Sequence, residues 1–111
     1  MKQQFDTSLF IQLAASLEGE FFYDDTMRTL YATDASVYKE YPLAVCYPKT
    51  KKDIQSLIQF AHQHKTSLIP RTAGTSLGGQ VVGGGIVVDV SKYFDKILEV
   101  NKDEKYCIVQ P

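Results

Sequence analysis

The residues whose types and spacing are best suited to chemistry lie between Leu68 and Asp89, in a stretch rich in glycine. Five glycines fall within the span from Gly74 to Gly84, and Gly85 follows directly. Glycine adopts positive φ angles without strain and lets a ligand approach the backbone closely. Successive amides in such a turn can form a concave nest that binds an anion such as a phosphate. The stretch therefore predicts an anion-binding loop, and a structural glycine-rich turn without a ligand is the alternative.

Polar side chains beside these glycines favour phosphate as the anion. Thr75 and Ser76 add hydroxyl donors, and Arg71 adds a permanent cation whose planar guanidinium suits phosphate. An apolar pair precedes the loop, and a β-branched run from Ile86 to Val88 follows it. That order predicts a strand, a glycine loop and a second strand.

Two familiar phosphate loops do not fit this stretch. The Walker loop needs a lysine and then a serine or threonine after its last glycine. Gly74 and Gly79 have the Walker spacing, but Gln80 and Val81 follow them. The dinucleotide fingerprint G-x-G-x-x-G opens a helix, and the residues after Gly74 do not match its spacing. Because the loop leads into a strand, the donors to an anion would be loop amides and hydroxyls, without a helix dipole.

The elements that must position the loop are predicted from the hydrophobic pattern. Strands are predicted at Ala44 to Tyr47, Ser67 to Pro70 and Ile86 to Val90. Thr50 is predicted to cap a helix to about His64, as in a capping box. The order β-α-β predicts a right-handed crossover and parallel pairing. The predicted buried stripe of the helix consists of Ile54, Leu57, Ile58 and Ala61.

The remaining regions predict packing elements. A first helix is predicted from Ser8 to Glu18 with Asp6 or Thr7 as its cap, and a short helix is predicted after Asp24. The aromatic side chains between residues 21 and 41 are predicted to be core and surface residues, with a ligand-facing wall as the alternative. Near the end of the sequence, Ile97 to Val100 and Tyr106 to Val109 predict a hairpin.

Composition limits the classes of partner. The 111 residues suit one domain, and 12 basic against 13 acidic side chains give a net charge of −1. Neither a nucleic-acid partner nor a membrane surface is indicated, no apolar run approaches the ~20 residues of a membrane span, and the first six residues lack a signal-peptide core. Cys46 and Cys107 lie in apolar runs and are predicted to be buried free thiols, which suits an intracellular, cytoplasmic location.

Several motifs in order resemble one family. The segment from Pro70 to Gln80, followed by Gly84 to Asp89, resembles the FAD pyrophosphate loop of the FAD-linked oxidases in the vanillyl-alcohol oxidase superfamily. The family usually has glycine at the position of Thr72, so the turn is expected to differ there. Further matching segments are Tyr31 to Ser36, Pro42 to Val45, Pro48 to Thr50 and Val109 to Pro111.

The resemblance implies a fold, a cofactor and a site. The fold class is α+β: the first subdomain of a PCMH-type FAD-binding fold, with a small mixed or parallel sheet flanked by helices. The cofactor is FAD, and it is expected to be non-covalent because the loop lacks the histidine through which some members attach it. The cofactor-binding residues are expected to be Pro70, Arg71, Thr72, Ala73, Gly74, Thr75, Ser76, Leu77 and Gly78, with no catalytic or metal-binding residue assigned.

The resemblance also implies a parent enzyme. Residues 1–111 are expected to form the N-terminal part of an FAD-binding domain, with residues 1–30 as a helical extension and the rest of a flavoenzyme as partner. The implied reaction is oxidation of a 2-hydroxy acid such as D-lactate or glycolate. The alternative is a non-catalytic module that binds another nucleotide or anion through the loop. A bare face at Leu77, Val81 and Val82 and the edge from Tyr106 to Val109 predict a weak homodimer.

Overall fold

The computed structural model describes residues 6–111, and it contains a four-stranded sheet, a separate hairpin and three helices. The first five residues of the predicted helical extension lie outside the described residues. The elements in chain order are α1 (Thr7–Ser16), β1 (Glu20–Phe22), α2 (Asp25–Leu30), β2 (Ala44–Tyr47), α3 (Lys51–His64), β3 (Leu68–Arg71), β4 (Ile86–Asp89), β5 (Ile97–Asn101) and β6 (Tyr106–Val109).

The larger sheet has the strand order β1-β2-β4-β3. Strands β2 and β3 both pair with β4 in parallel, and β1 pairs with β2 antiparallel. The predicted parallel relation between β2 and β3 is therefore correct, but their direct pairing is wrong because β4 lies between them. The sequence of β4 explains its central place: every residue from Ile86 to Asp89 is buried, as expected of a strand covered on both faces.

Helix α1 is capped as predicted but ends earlier. The carboxylate of Asp6 accepts a hydrogen bond from the N–H of Ser8 at 2.9 Å. The helix ends at Ser16 rather than Glu18, because the N–H groups of Glu18 and Gly19 each donate to the carboxylate of Asp53 at 2.9 Å. Those donors are consequently not available to continue the helical ladder.

Helix α3 starts as predicted, but its buried face is rotated. The Thr50 hydroxyl accepts a hydrogen bond from the N–H of Asp53 at 3.2 Å. Ile58, predicted to be buried, is 54% exposed, whereas Phe60 is 8% exposed. The ring of Phe60 lies 6.2 Å from that of Phe10 in α1. Periodicity identified an apolar helix, but contact with α1 and the sheet selects the Leu57, Phe60 and Ala61 side.

A buried carboxylate joins three segments of the chain. Asp53, 2% exposed, accepts bonds from Glu18 and Gly19 and a third from the N–H of Lys49 at 2.9 Å. Burial opposes the charged form, but the backbone donors, with Lys49 the strongest, hold the pKa of Asp53 below its usual range. The carboxylate therefore fixes the turn after α1 against the start of α3.

The core lies between one face of the large sheet and helices α1 and α3. Its buried members include Phe10, Leu13, Ala44, Cys46, Leu57, Phe60, Ile86 and Val88. Burial raises the pKa of Cys46 to about 12, so this thiol stays protonated at neutral pH. The prediction that Cys107 is also buried is wrong, because Cys107 is a free, exposed thiol on β6.

The hairpin of β5 and β6 forms as predicted. Ile97 pairs with Val109 and Val100 pairs with Cys107, with an irregularity between Ile97 and Glu99. The strands form a sheet of their own, and their apolar side chains are exposed: Ile97 by 68% and Val100 by 72%. Cys107 is exposed because this face has no cover. Among residues 6–111, no helix combines the length and apolar character needed to cross a membrane.

Candidate functional site

The glycine loop, defined as residues 72–85, connects β3 to β4 as predicted. It leaves β3 at the carboxyl edge of the sheet and returns beside Ser67, so it passes along the whole length of β3. Gly74 and Gly79 have φ angles of 70° and 72°, a region in which other residues are strained. Both turns of the loop therefore require glycine for conformational reasons.

Backbone donors are the main chemical resource of the loop. Among residues 6–111, no acceptor receives a hydrogen bond from the N–H groups of Thr72 to Leu77. Thr72, Ala73, Thr75 and Leu77 are also exposed. Unpaired amides in an exposed turn are suited to an anion that brings acceptors of its own.

The two hydroxyls of the loop have different surroundings. Ser76 Oγ accepts hydrogen bonds from the N–H groups of Gly78 at 3.3 Å and Gln80 at 3.2 Å, and lies 3.1 Å from Gln80 Oε1. Thr75 is exposed. Ser76 thus organises the second half of the loop, and Thr75 is the exposed hydroxyl-bearing residue of the first half.

Arg71 ends β3 immediately before the loop. Its Nη1 donates to the carbonyl oxygen of Thr33 at 2.7 Å, and its guanidinium carbon lies 5.0 Å from the centre of the Tyr31 ring. On its other side is Gly74, where an added Cβ would come within 2.4 Å of Arg71 Nη2. The cation expected to attract phosphate is therefore held between Tyr31, Thr33 and Gly74.

A segment that the sequence patterns did not place lies against the loop. We call residues 33–40 the strap. The N–H of Ala35 donates to the carbonyl oxygen of Gly74 at 2.9 Å, and an added Cβ at Gly79 would lie 2.7 Å from the Tyr38 ring. Within the strap, Asp34 accepts from the N–H of Ser36 at 2.8 Å, and the neighbouring Ser36 hydroxyl holds the pKa of Asp34 below its usual range.

A tyrosine–carboxylate cluster lies at the carboxyl edge of the sheet. The hydroxyl of Tyr31 donates to Asp89 Oδ2 at 2.6 Å and lies 2.9 Å from the Tyr47 hydroxyl. Asp89 Oδ1 also accepts from the N–H and hydroxyl of Ser91. Burial, together with the bond to Asp89, raises the pKa of Tyr31 far above its usual range. Tyr31 is therefore a fixed neutral donor whose ring supports Arg71.

The arrangement can bind an anion, and its donor set differs from that of a helix-based phosphate site. The loop carries no acidic or basic side chain between Thr72 and Gly85, and the Asp34 carboxylate of the strap interacts with the Val81 amide and with Arg71, outside the amides from Thr72 to Leu77. Sequence reasoning found the loop and Arg71 but missed the strap contacts. The resemblance of Tyr31 to Ser36 was the signal that could have indicated them.

Comparison with known proteins places this geometry among flavoproteins. A family model described as "FAD binding domain" matches residues 42–111. D-2-hydroxyglutarate dehydrogenase of Haemophilus influenzae is 36% identical over 96 residues, which are 84% of this chain and 9% of the relative. D-lactate dehydrogenase [cytochrome] of Kluyveromyces lactis is 36% identical over 73 residues, 62% of this chain and 13% of the relative. The chain thus spans about a tenth of the length of these relatives.

A solved structure supports the fold. p-Cresol methylhydroxylase with substrate bound superimposes with a TM-score of 0.79 at 18% identity, covering 95% of this chain and 21% of that one. At this identity the likeness shows the fold alone. It confirms the expected α+β fold of the PCMH type, with the mixed sheet flanked by helices.

Proposed function

Because this chain belongs to the FAD binding domain family and its cofactor is therefore FAD, we propose that the glycine loop holds the FAD pyrophosphate. The observation that carries the proposal is the run of unpaired amides from Thr72 to Leu77, in which Gly74 and Ser76 are half-buried and the other four residues are exposed. The proposed site comprises Pro70, Arg71, Thr72, Ala73, Gly74, Thr75, Ser76, Leu77 and Gly78.

The donor set fits a pyrophosphate. Its oxygens are acceptors only, and the loop offers donors: the amides and the exposed Thr75 hydroxyl. The uncharged loop and the neighbouring cation Arg71 favour a negatively charged group. The positive φ of Gly74 turns the chain so that successive amides can face one ligand. Binding is non-covalent in this proposal, since the loop has no histidine.

The proposed parent activity is oxidation of a 2-hydroxy acid, a class that includes D-lactate, glycolate and D-2-hydroxyglutarate. Two observations support it: the motif resemblance, and the names of the two dehydrogenases described above. FAD, when bound, accepts the hydride in such a reaction, and the protein supplies orientation and electrostatics. Within residues 6–111 the proposed contribution is cofactor binding, by residues 70–78, and the rest of the flavoenzyme is the proposed partner.

Competition between nucleotides tests the cofactor assignment. FAD is titrated into the purified chain and its flavin fluorescence recorded, with ATP and NAD as competitors. The expected result is that FAD binds more tightly than either competitor, and that Gly74→Val abolishes binding because a β-branched side chain resists positive φ. Tighter binding of ATP or NAD would instead support the alternative, a module for another nucleotide.

Self-association is a second proposal, supported by exposed apolar surface. Leu77 is 83% exposed, and the hairpin presents Ile97, Val100, Ile108 and Val109 to solvent. Apolar patches and unpaired strand edges favour association, so we expect a weak two-fold dimer. Light scattering over a concentration series measures it, and a mass that stays monomeric at the highest concentration contradicts it.

A cytoplasmic location is also part of the proposal. It is supported by two free thiols, one of which, Cys107, is exposed. Exposed unpaired thiols persist in compartments kept reducing by cellular thiols. Fractionation of the natural host tests it, and recovery of the protein from an oxidising compartment would refute it.

A further inference from the structure

Arg71 makes three contacts within the protein at the start of the glycine loop. Its guanidinium stacks on Tyr31 at 5.0 Å, donates to Thr33 at 2.7 Å, and fills the space that a Cβ on Gly74 would need. A planar guanidinium satisfies these contacts together because it can stack and donate in plane at the same time. Glycine at position 74 is what allows the cation to approach the turn so closely.

The contacts of Arg71 form one continuous connection between the sheet and the loop. Asp89 on β4 accepts a hydrogen bond from the Tyr31 hydroxyl at 2.6 Å, and this bond fixes the ring on which Arg71 stacks. Thr33 begins the strap, and two residues later the N–H of Ala35 holds the carbonyl oxygen of Gly74 at 2.9 Å. Because Thr33 contacts Arg71 and Ala35 contacts Gly74, we expect removal of the guanidinium to loosen the first residues of the strap and the Gly74 turn together.

From this geometry we infer that Arg71 is a positioning residue: its guanidinium locks the Gly74 turn against the strap so that the amides after it face the FAD pyrophosphate. This inference rests on the proposed FAD-binding function. In this role the planar shape of the guanidinium matters more than its charge. A lysine, with the same charge but no plane to stack or donate from in this geometry, is expected not to replace it.

The test combines FAD affinity with a measurement that needs no FAD. Arg71→Lys and Arg71→Ala are compared with the unchanged chain for FAD binding, and amide hydrogen exchange of Ala35 is measured without ligand. Arg28→Lys is the matched control: Arg28, the only other arginine in the sequence, also donates to a carbonyl, that of Pro42 at 2.7 Å, but lies outside the loop contacts. Thermal melting of each variant reports the stability of the whole fold.

We expect both Arg71 variants to bind FAD at least tenfold more weakly and to exchange the Ala35 amide at least tenfold faster, while Arg28→Lys changes neither. Overturning results are an Arg71→Lys chain that binds FAD within threefold of the unchanged chain, since charge alone would then suffice, or an unaltered Ala35 exchange rate. Equal loss of melting temperature and Ala35 protection in the Arg28 control would also overturn it, by showing a general effect on the fold. If the unchanged chain does not bind FAD, the proposed function fails and the cofactor part of this inference fails with it; accelerated Ala35 exchange then still establishes the lock between Arg71 and the loop.

Discussion

Substitution of Gly74 by alanine tests whether the backbone conformation at this turn is needed for FAD binding. The φ of Gly74 is 70°, and an L-residue in the left-handed region costs roughly 1–2 kcal/mol. The new Cβ would also lie 2.4 Å from Arg71 Nη2, so the guanidinium must move away from Thr33, at a cost of about 0.5–1.5 kcal/mol for the hydrogen bond.

The affinity for FAD should fall accordingly. The loop of the free variant is expected to relax out of this conformation, and FAD binding must then restore it, so both costs appear as lost affinity. Taking about 2.5 kcal/mol as the middle of their sum, the Kd of Gly74→Ala rises about 70-fold. The comparison is Gly84→Ala, in the same loop but outside the proposed site: Gly84 does not have a positive φ, and an added Cβ meets only the end of the exposed Glu40 side chain, with Oε1 at 2.9 Å. Because that flexible side chain can move aside, Kd should stay within about threefold, an order-of-magnitude allowance for a surface substitution.

Isothermal titration calorimetry with FAD measures both variants, and thermal melting confirms that each is folded. A Gly74→Ala chain that binds FAD as tightly as the unchanged chain would show that the positive φ at this turn is not needed for binding. Equal losses at both positions would also contradict the prediction, by showing that glycine matters for access rather than for conformation.

Three further predictions concern the thiols, the buried carboxylate and activity. With a thiol reagent at pH 8, Cys107 should react quickly and Cys46, whose pKa is about 12 and which is buried, should react only on unfolding; two fast thiols would contradict the structure. Asp53→Asn should destabilise the fold by roughly 1–3 kcal/mol at pH 7, because at least one backbone N–H then faces an NH₂ group. Since the folded pKa of Asp53 is lowered, its stabilising contribution is present above the unfolded pKa of about 3.9 and is lost as pH falls through the folded value; denaturant melts should therefore converge for the two proteins at acid pH, and a constant difference would count against the assignment. Finally, the 111-residue chain with added FAD should not oxidise D-lactate or glycolate with a dye acceptor, since it spans about a tenth of its dehydrogenase relatives; turnover above that of free FAD would disprove this.

Local signals were sufficient for much of the fold. Asp6 and Thr50 cap their helices as predicted because capping depends on residues two or three positions away. The hairpin and the strand–loop–strand order were also predictable, because strand patterns and glycine turns are local. The loop as a binding site remains a prediction, and the resemblance supplied its most specific content.

The order of the strands and the buried faces of the helices could not be predicted from local sequence patterns. Strand β1 is only Glu20–Phe22, which is too short for a periodic pattern, and its register depends on β2. The insertion of β4 between β2 and β3 follows from packing across the sheet. Likewise, the exposure of Ile58 and the burial of Asp53 depend on where α1 and the turn at Glu18 and Gly19 lie, and that turn is more than 30 residues from Asp53 along the chain.

The sequence patterns did not predict that the strap packs against the glycine loop. Ala35, Tyr38 and Glu40 each lie beside a different glycine of the loop, although more than 30 residues separate the two segments along the chain. Glycines that suggested ligand access therefore also serve protein packing. This dual use explains why glycine content alone left the binding and structural interpretations of the loop open.

Binding of the FAD pyrophosphate by the amides of the glycine loop can be observed through amide chemical shifts during an FAD titration. In ¹H–¹⁵N spectra of the 111-residue chain, the largest changes should fall on Thr72 to Leu77, with the Arg71 side chain and the Ala35 amide following. Adenosine, which lacks the pyrophosphate, should leave these amides largely unchanged. Saturable FAD binding whose largest shifts lie elsewhere, for example in α1 and α3, with the loop amides unmoved, would show that the glycine loop does not bind the pyrophosphate.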